Sequence, residues 1–194
     1  KLATLIGRYY AMDRKQRWSL TQRAYETLIG QGGPIVSDPL SALETTYRQG
    51  LTEEFLAPIR LGEGKEIQDG EAVIFFNFRE DSIRQLSEVF IQKDFSRFPA
   101  KKFQNLHIVT ISRYEEIFNV PIAFPPETID EPLGKILSSQ NKTQLRLAET
   151  YKYAHVTYFF NGYRESPFKD EYRVLIPSLS TPHIEEQPQM KAAE

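Results

Sequence analysis

At 194 residues, with 40% hydrophobic and 26% charged side chains, the chain has the make-up of a soluble globular protein and the length for one sizeable domain or parts of two. A formal net charge of -2 gives no global field to draw nucleic acid or an anionic membrane, and no apolar run approaches the roughly 20 residues that a bilayer span needs. With no Cys there are no disulfides and no thiolate metal sites, and a reducing cytoplasm is the expected compartment.

Lys1 to Tyr9 runs straight into folded-looking sequence, with neither a signal peptide nor an initiator Met, and reads as a cut through a longer protein. Leu2 to Ile6 predicts a short strand leading into Gly7. Ser19 is the expected N-cap of a helix carrying Leu20, Ala24, Leu28 and Ile29, which Gly30, Gly32 and Gly33 end. A second helix is predicted over Pro39 to Arg48, behind an Asp38 cap and before Gly50. The stretch from Leu61 to Gly70 is loop chemistry.

Ala72 to Phe76 is an unbroken apolar run, as expected of a strand buried on both faces. Asp81 or Ser82 then caps a helix to about Gln92, with Ile83, Leu86, Val89 and Phe90 on one stripe. Leu106 to Ile111 is the next predicted strand. Three Pro within the six residues 121–126 exclude helix interior and central strand. They predict a stiff extended connector over Val120 to Pro126, and a domain boundary is placed there. Beyond it, Leu133 to Ser139 predicts a helix, Gln144 to Ala148 a strand, Glu149 to Asn161 a mixed aromatic segment, and Arg173 to Ile176 a strand. The polar tail from Pro177 stops without a terminal element and also reads as cut. Strands alternating with helices give an α/β fold, a layered sheet with flanking helices.

Four segments carry candidate chemistry. Arg8 and Arg14 stand six residues apart just after the first predicted strand, with Asp13 between them. Guanidinium forks suit carboxylate and phosphate oxygens, and strand ends are where α/β sheets bind ligands. Spacing alone favours two solvated surface arginines, with Asp13 a local ion partner, because exposed arginines are ordinary. Asn77-Phe78-Arg79-Glu80-Asp81 follows the most apolar strand, a place where a rigid scaffold holds a charged loop. It is equally simple strand-to-helix punctuation.

Lys152 lies among aromatic and apolar neighbours between Glu149 and His155. It is a point charge for a phosphoryl group if its ammonium faces a cavity, or a snorkelling surface lysine, the more common case. The three His, at 107, 155 and 183, have no ligand spacing and read as structural. Lys101, Lys102 and Arg97 among Phe95, Phe98 and Phe103 read as a solvated face over packed rings rather than a single-strand platform. There is no phosphate-binding P-loop, no paired-Gly dinucleotide fingerprint, no Gly-x-Ser-x-Gly elbow and no complete Asp/His metal set.

Several strings together resemble one family. Leu5 to Arg14 with Arg17-Trp18 is similar to a signature of cofactor-independent (2,3-bisphosphoglycerate-independent) phosphoglycerate mutases. So are Asp69 to Arg79, Gln144 to Thr150, and Lys152 to Gly162, in the same order, followed by Ile176 to Ser178 and Gln187 to Met190. The resemblance runs over nearly the whole chain. It implies a transferase domain inserted into a phosphatase domain of alkaline-phosphatase type. Residues 1–126 would be the latter part of the substrate-holding transferase domain, residues 127–194 part of the phosphatase domain, and the Pro-rich connector a hinge whose closure excludes water.

It also implies interconversion of 3- and 2-phosphoglycerate in glycolysis and gluconeogenesis through a metal-bound phosphoserine, with two divalent metals, usually manganese, and no 2,3-bisphosphoglycerate. The partner is a small-molecule substrate, with neither nucleic acid nor membrane, and the full-length enzyme is expected to be a cytoplasmic monomer. By matching, Arg8, Arg14 and Arg79 grip the carboxylate and phosphate of the substrate, and Lys152 is the catalytic residue that reaches the phosphoryl group. The nucleophilic Ser and the metal ligands of the family match nothing here, so the chain alone is expected to be inactive and its open strand edges to leave it marginally stable. Ser82 stands where the family often has a second Arg, and Arg84, two positions on, is expected on a different helix face. The alternatives are a stand-alone, non-catalytic anion-binding module and another metal-dependent phosphatase or mutase of the superfamily. The Gly7 to Arg14 string disfavours the latter.

Overall fold

In a computed structural model of the chain, residues 1–62, 64–127, 129–181 and 186–192 are described. His183, read as structural, lies outside them. The chain divides into two compact units, Lys1–Pro126 and Glu127–Glu194. Both are mixed α/β, with small sheets and flanking helices, the class that the alternating pattern predicts. Among the described residues no helix is long and apolar enough to cross a membrane.

The first unit holds β1 (Thr4–Leu5), α1 (Arg8–Ala11), α2 (Trp18–Leu28), β2 (Ile35–Val36), α3 (Pro39–Arg48), a 3-10 turn (Glu53–Phe55), β3 (Ile59–Leu61), β4 (Ala72–Phe75), α4 (Arg84–Ile91) and β5 (His107–Thr110). Its first sheet has the order β1-β3-β2, with β1 antiparallel and β2 parallel to β3. Its second pairs β4 with β5 in parallel, Ala72 opposite His107 and Phe75 opposite Thr110. The core gathers Ala24 and Tyr25 from α2 and Ile29 just beyond it with Leu86 and Val89 from α4, and adds Phe75, Ile108 and Tyr114. Tyr25, 1% exposed, packs on Phe90 and Phe98 at 5.1 and 5.8 Å between ring centres, and its hydroxyl accepts from the Lys101 N–H at 2.8 Å.

Helix α3 starts as its cap dictates. The Asp38 carboxylate accepts from the Leu40 and Ser41 N–H groups at 3.0 and 3.2 Å, and Pro39 occupies the first turn. Two other expected caps are corrected. Helix α2 begins at Trp18, with Arg17 rather than Ser19 at its N-cap, because Asp13 accepts the Arg17 N–H at 2.8 Å and sets the start earlier. Helix α4 begins at Arg84 behind Ile83, not behind Asp81 or Ser82. The Asp81 carboxylate is drawn off by arginines, and a turn that bonds Ile83 and Arg84 N–H to the Glu80 carbonyl fills the gap.

Strand β4 is also corrected. It is not buried on both faces, since Phe75 is 8% exposed while Ile74 is 65% exposed and Phe76, just beyond the strand, 80%. Among the described residues its strand partner is β5, and the core covers one side of the pair. The proline segment makes a single bridge at Ile122, then bends at Ala123 and Phe124, and it bonds to the end of β5: the Thr110 N–H donates to the Pro121 carbonyl at 3.0 Å and the Ala123 N–H donates to the Thr110 carbonyl at 2.8 Å.

The second unit holds α5 (Leu133–Ser139), β6 (Gln144–Glu149), α6 (Thr150–Ala154), a π-helical turn (His155–Phe159) and β7 (Glu171–Ile176). Strands β6 and β7 pair in parallel, with Leu145 opposite Tyr172 and Leu147 opposite Val174. Those four side chains share one face by the two-residue alternation, and all are exposed. The opposite face is polar. Gln144 donates to the Gly134 carbonyl at 2.9 Å and accepts from Arg146 at 2.6 Å, while Asn161 and Arg173 both donate to Glu171 at 2.7 Å.

Candidate functional site

The turn between β1 and α1 is pressed against the backbone of residues 54–56. Gly7 donates its N–H to the Leu56 carbonyl at 2.9 Å, and a Cβ there would collide with the Glu54 carbonyl and the Leu56 backbone. This closeness brings the next residue, Arg8, onto Glu54, with Nη2 2.7 Å from Oε2. Tyr9 leans on Phe55 at 5.0 Å, and the Arg17 guanidinium lies 4.8 Å from the Tyr9 ring centre. A half-open cavity of about 590 Å³ lies beside this turn, lined by Leu5, Ile6, Arg8, Leu43, Thr52 and Leu56 among others.

Asp13 is the buried anchor of the segment that follows, 4% exposed. Its carboxylate accepts from the Lys15 and Arg17 N–H groups at 3.1 and 2.8 Å, from Arg17 Nε at 2.7 Å, and from Gln85 Nε2 at 3.2 Å. Gln85 also donates to Thr21 Oγ1 at 2.6 Å, so one carboxylate and one amide tie the α1–α2 segment to α4.

Arg14 leaves this segment toward the β4–α4 turn. Its Nη1 donates to Asp81 Oδ2 at 2.7 Å. Arg79 meets the same carboxylate side-on, with Nε to Oδ1 at 2.6 Å and Nη2 to Oδ2 at 3.0 Å. Burial pushes the Asp81 carboxyl up, but the hydrogen bonds from Arg79 and Arg14 outweigh it and hold the group below its ordinary range. The turn that carries Arg79 is held from the far side of β5. The Tyr114 hydroxyl donates to the carbonyls of Phe75 and Asn77 at 2.9 and 2.6 Å, and Ser112 donates to the Phe78 carbonyl at 2.7 Å. Burial pushes the Tyr114 phenol up to about 12, so it stays a donor at any working pH.

Of the residues singled out from sequence, Arg14 and Arg79 converge on one acceptor, and Arg8 in the same unit has a different one. Ser82 is buried at 7% exposure and donates to the Arg79 carbonyl at 3.3 Å. Arg84 turns away, with Nε 2.7 Å from the Tyr114 carbonyl and 3.1 Å from Glu115. Lys152 lies in the second unit on α6, exposed rather than stem-buried among its aromatic neighbours. His107 and His155 are both exposed, and the His155 ring lies 5.5 Å from that of Phe159. The rings near Lys101 are packed: Phe95 and Phe98 meet edge-on at 4.9 Å, and Lys101 sits 4.5 Å over Phe103.

Sequence reasoning missed the acids. Nothing local points to Glu54, 46 positions from Arg8. Asp81 carried a signal, an acid two residues past an Arg in one turn, which was read as a cap. Among the described residues no group of three or more His, Cys, Asp or Glu stands ready to hold a metal. Guanidinium forks gathered in this way have the chemistry to hold a carboxylate or phosphate.

Residues 1–116 match the family model described as the N-terminus of BPG-independent PGAM. The whole chain is similar to curated 2,3-bisphosphoglycerate-independent phosphoglycerate mutases, at 44% identity to that of Salinibacter ruber and 45% to one from Methanosarcina barkeri. It spans 39% of the length of each of these two relatives. Among solved structures, phosphoglycerate mutase of Leishmania mexicana, crystallised at low cobalt concentration, superposes with a TM-score of 0.84 at 25% identity, covering all of this chain and 37% of that one.

Proposed function

Because the chain belongs to the BPG-independent phosphoglycerate mutase family, we propose that it supplies the anion-holding part of an enzyme that interconverts 3- and 2-phosphoglycerate. The observation that carries this reading is the meeting of Arg14 and Arg79 on one acid, within the family-matched residues, at the ends of elements that the core holds fixed. Guanidinium forks suit both ends of a phosphoglycerate, its carboxylate and its phosphate. Arg8, Arg14 and Arg79 take these groups, and Lys152 reaches the phosphoryl group. Residues 1–126 are then the latter part of the substrate-holding domain and residues 127–194 part of the phosphatase domain.

In the whole enzyme the phosphoryl group passes to a serine hydroxyl outside this chain and back to the other glycerate oxygen, which divides one hard transfer into two. Manganese is the proposed metal pair, held by ligands outside this chain. Among the described residues no group of three or more His, Cys, Asp or Glu offers such a set. A cytoplasmic monomer completes the reading, and the absence of Cys accords with a reducing compartment.

The test is steady-state turnover of the full-length protein without added 2,3-bisphosphoglycerate. Arg8→Ala is expected to lower kcat/KM about 10- to 100-fold, the loss of one charge-assisted hydrogen bond of about 1.5–3 kcal/mol. Unchanged turnover in this variant removes Arg8 from the grip. A full-length protein that binds phosphoglycerate by calorimetry but does not convert it returns the chain to the binding-module alternative.

A further inference from the structure

We propose that Asp81 is a positioning residue: a single carboxylate that yokes Arg14 to Arg79 and presents both guanidiniums to one anionic group of the substrate. The inference rests on the reading above, that these arginines hold phosphoglycerate.

Three observations carry it. The first is connectivity. Arg14 and Asp81 are 67 positions apart, and their contact joins the α1–α2 segment to the β4–α4 turn. The second is the direction of the forks. Arg79 spends two of its five N–H donors on Asp81, through Nε and Nη2, so its remaining donors lie on the opposite edge, at Nη1 and the outer side of Nη2. The third is depth. The Asp81 side chain is 21% exposed, that of Arg14 32% and that of Arg79 55%. The acid is innermost and the cations lie above it. Glu80 also acts on Arg79, so the attraction for an incoming phosphate or carboxylate comes from the outward N–H donors of two guanidiniums held together on one carboxylate.

Ser82 sharpens the point. Where the family often adds an Arg, this chain has a small buried hydroxyl that donates to the Arg79 carbonyl and contributes no charge. With no cation from that position, the alignment of the pair counts for more, and Asp81 is a carboxylate that both arginines contact. An isolated surface ion pair would contribute little. This carboxylate instead lies in a turn whose Asn77 and Phe78 carbonyls are held by Tyr114 and Ser112, and both arginines bond to it.

The opposite role is distinguishable by sign. If Asp81 merely competed with substrate for the guanidiniums, removing its charge would tighten binding. In the full-length enzyme, Asp81→Asn is expected to raise KM for 3-phosphoglycerate about tenfold while kcat stays within about threefold, and Asp81→Glu to restore part of the loss. Asp81→Asn in an Arg14→Ala background should add much less than in the wild type, because the two act through one contact. A KM that falls or stays within twofold overturns the proposal, as do effects that simply add. Arg79→Ala serves as the separate control. If it leaves turnover intact, the grip reading itself fails. If it abolishes turnover while Asp81→Asn leaves KM unmoved, only the role of Asp81 is lost. Thermal melts of each variant separate loss of fold from loss of alignment.

Discussion

Arg79→Ala in the full-length enzyme is expected to lower kcat/KM for 3-phosphoglycerate by about 10²–10³-fold. Two losses combine. The substrate loses a planar fork at the most exposed point of the cluster. In addition, Asp81 loses the partner that engages both of its oxygens and keeps only the Arg14 contact among these ion pairs. That leaves an under-compensated carboxylate beside the place where an anion must sit. A planar fork that makes two charge-assisted hydrogen bonds to the substrate, each worth about 1.5–3 kcal/mol, accounts for most of this loss, since each 1.4 kcal/mol is a factor of ten. Arg79→Lys keeps the charge but not the fork, and should fall between Ala and wild type. Steady-state kinetics on the three proteins decides the matter: an Ala variant within threefold of wild type removes Arg79 from the site.

The second large effect concerns stability. Glu171 is fully buried, and its two oxygens take bonds from Arg173 Nε at 2.7 Å, Asn161 Nδ2 at 2.7 Å and the Phe168 N–H at 3.2 Å. Glu171→Ala leaves the Arg173 charge, 14% exposed, without its acid, and is expected to destabilise the second unit by about 3–5 kcal/mol. The effect also depends on pH. Burial pushes the Glu171 carboxyl up, but the bonds from Arg173, Asn161 and Phe168 prevail and the net shift is downward from 4.5. A group depressed in the folded state contributes its stability above the unfolded value and loses it as pH falls through the folded one. The second unit should therefore weaken as pH drops below about 4.5, and Glu171→Gln should flatten that slope. Amide exchange in residues 144–149 and 171–176 followed against pH reads both. Wild-type protection that holds steady through this window would refute the assignment.

What the sequence revealed depended on how far the cause lay from the effect. Helix α3 was legible to the residue because Asp38, Pro39 and Gly50 act within one turn of its ends. Helix α5 was legible for a similar reason, with Pro132 just ahead of it. Strands β2 and β3 were not, because two and three residues are too few for alternation to register, and Leu61 was read as loop. Strand β7 was placed two residues late because Glu171 looks like a solvated charge until Asn161 and Arg173 are brought to it.

The same holds at the site. Arg8, Arg14 and Arg79 were visible as arginines after strands. Their acids were not, since Glu54 and Asp81 acquire meaning only when segments 46 and 67 positions away fold onto them. The exposed side of β4 escaped for a related reason: an unbroken apolar run says what a strand prefers to bury, not which neighbours are present to cover it.

Gly7 has a further consequence. It has no side chain with which to touch a ligand, yet its lack of a Cβ lets the β1–α1 turn approach residues 54–56 closely enough for Arg8 to reach Glu54. Any other residue must push that turn outward. In a survey of single substitutions, position 7 should therefore be as intolerant as the arginines, and Gly7→Ala should lower turnover by displacing the turn rather than by removing a side-chain contact of its own. Intolerance along Gly7 to Arg14 thus mixes two origins, room for the backbone and grip on the anion. Only the second should be relieved by raising the substrate concentration.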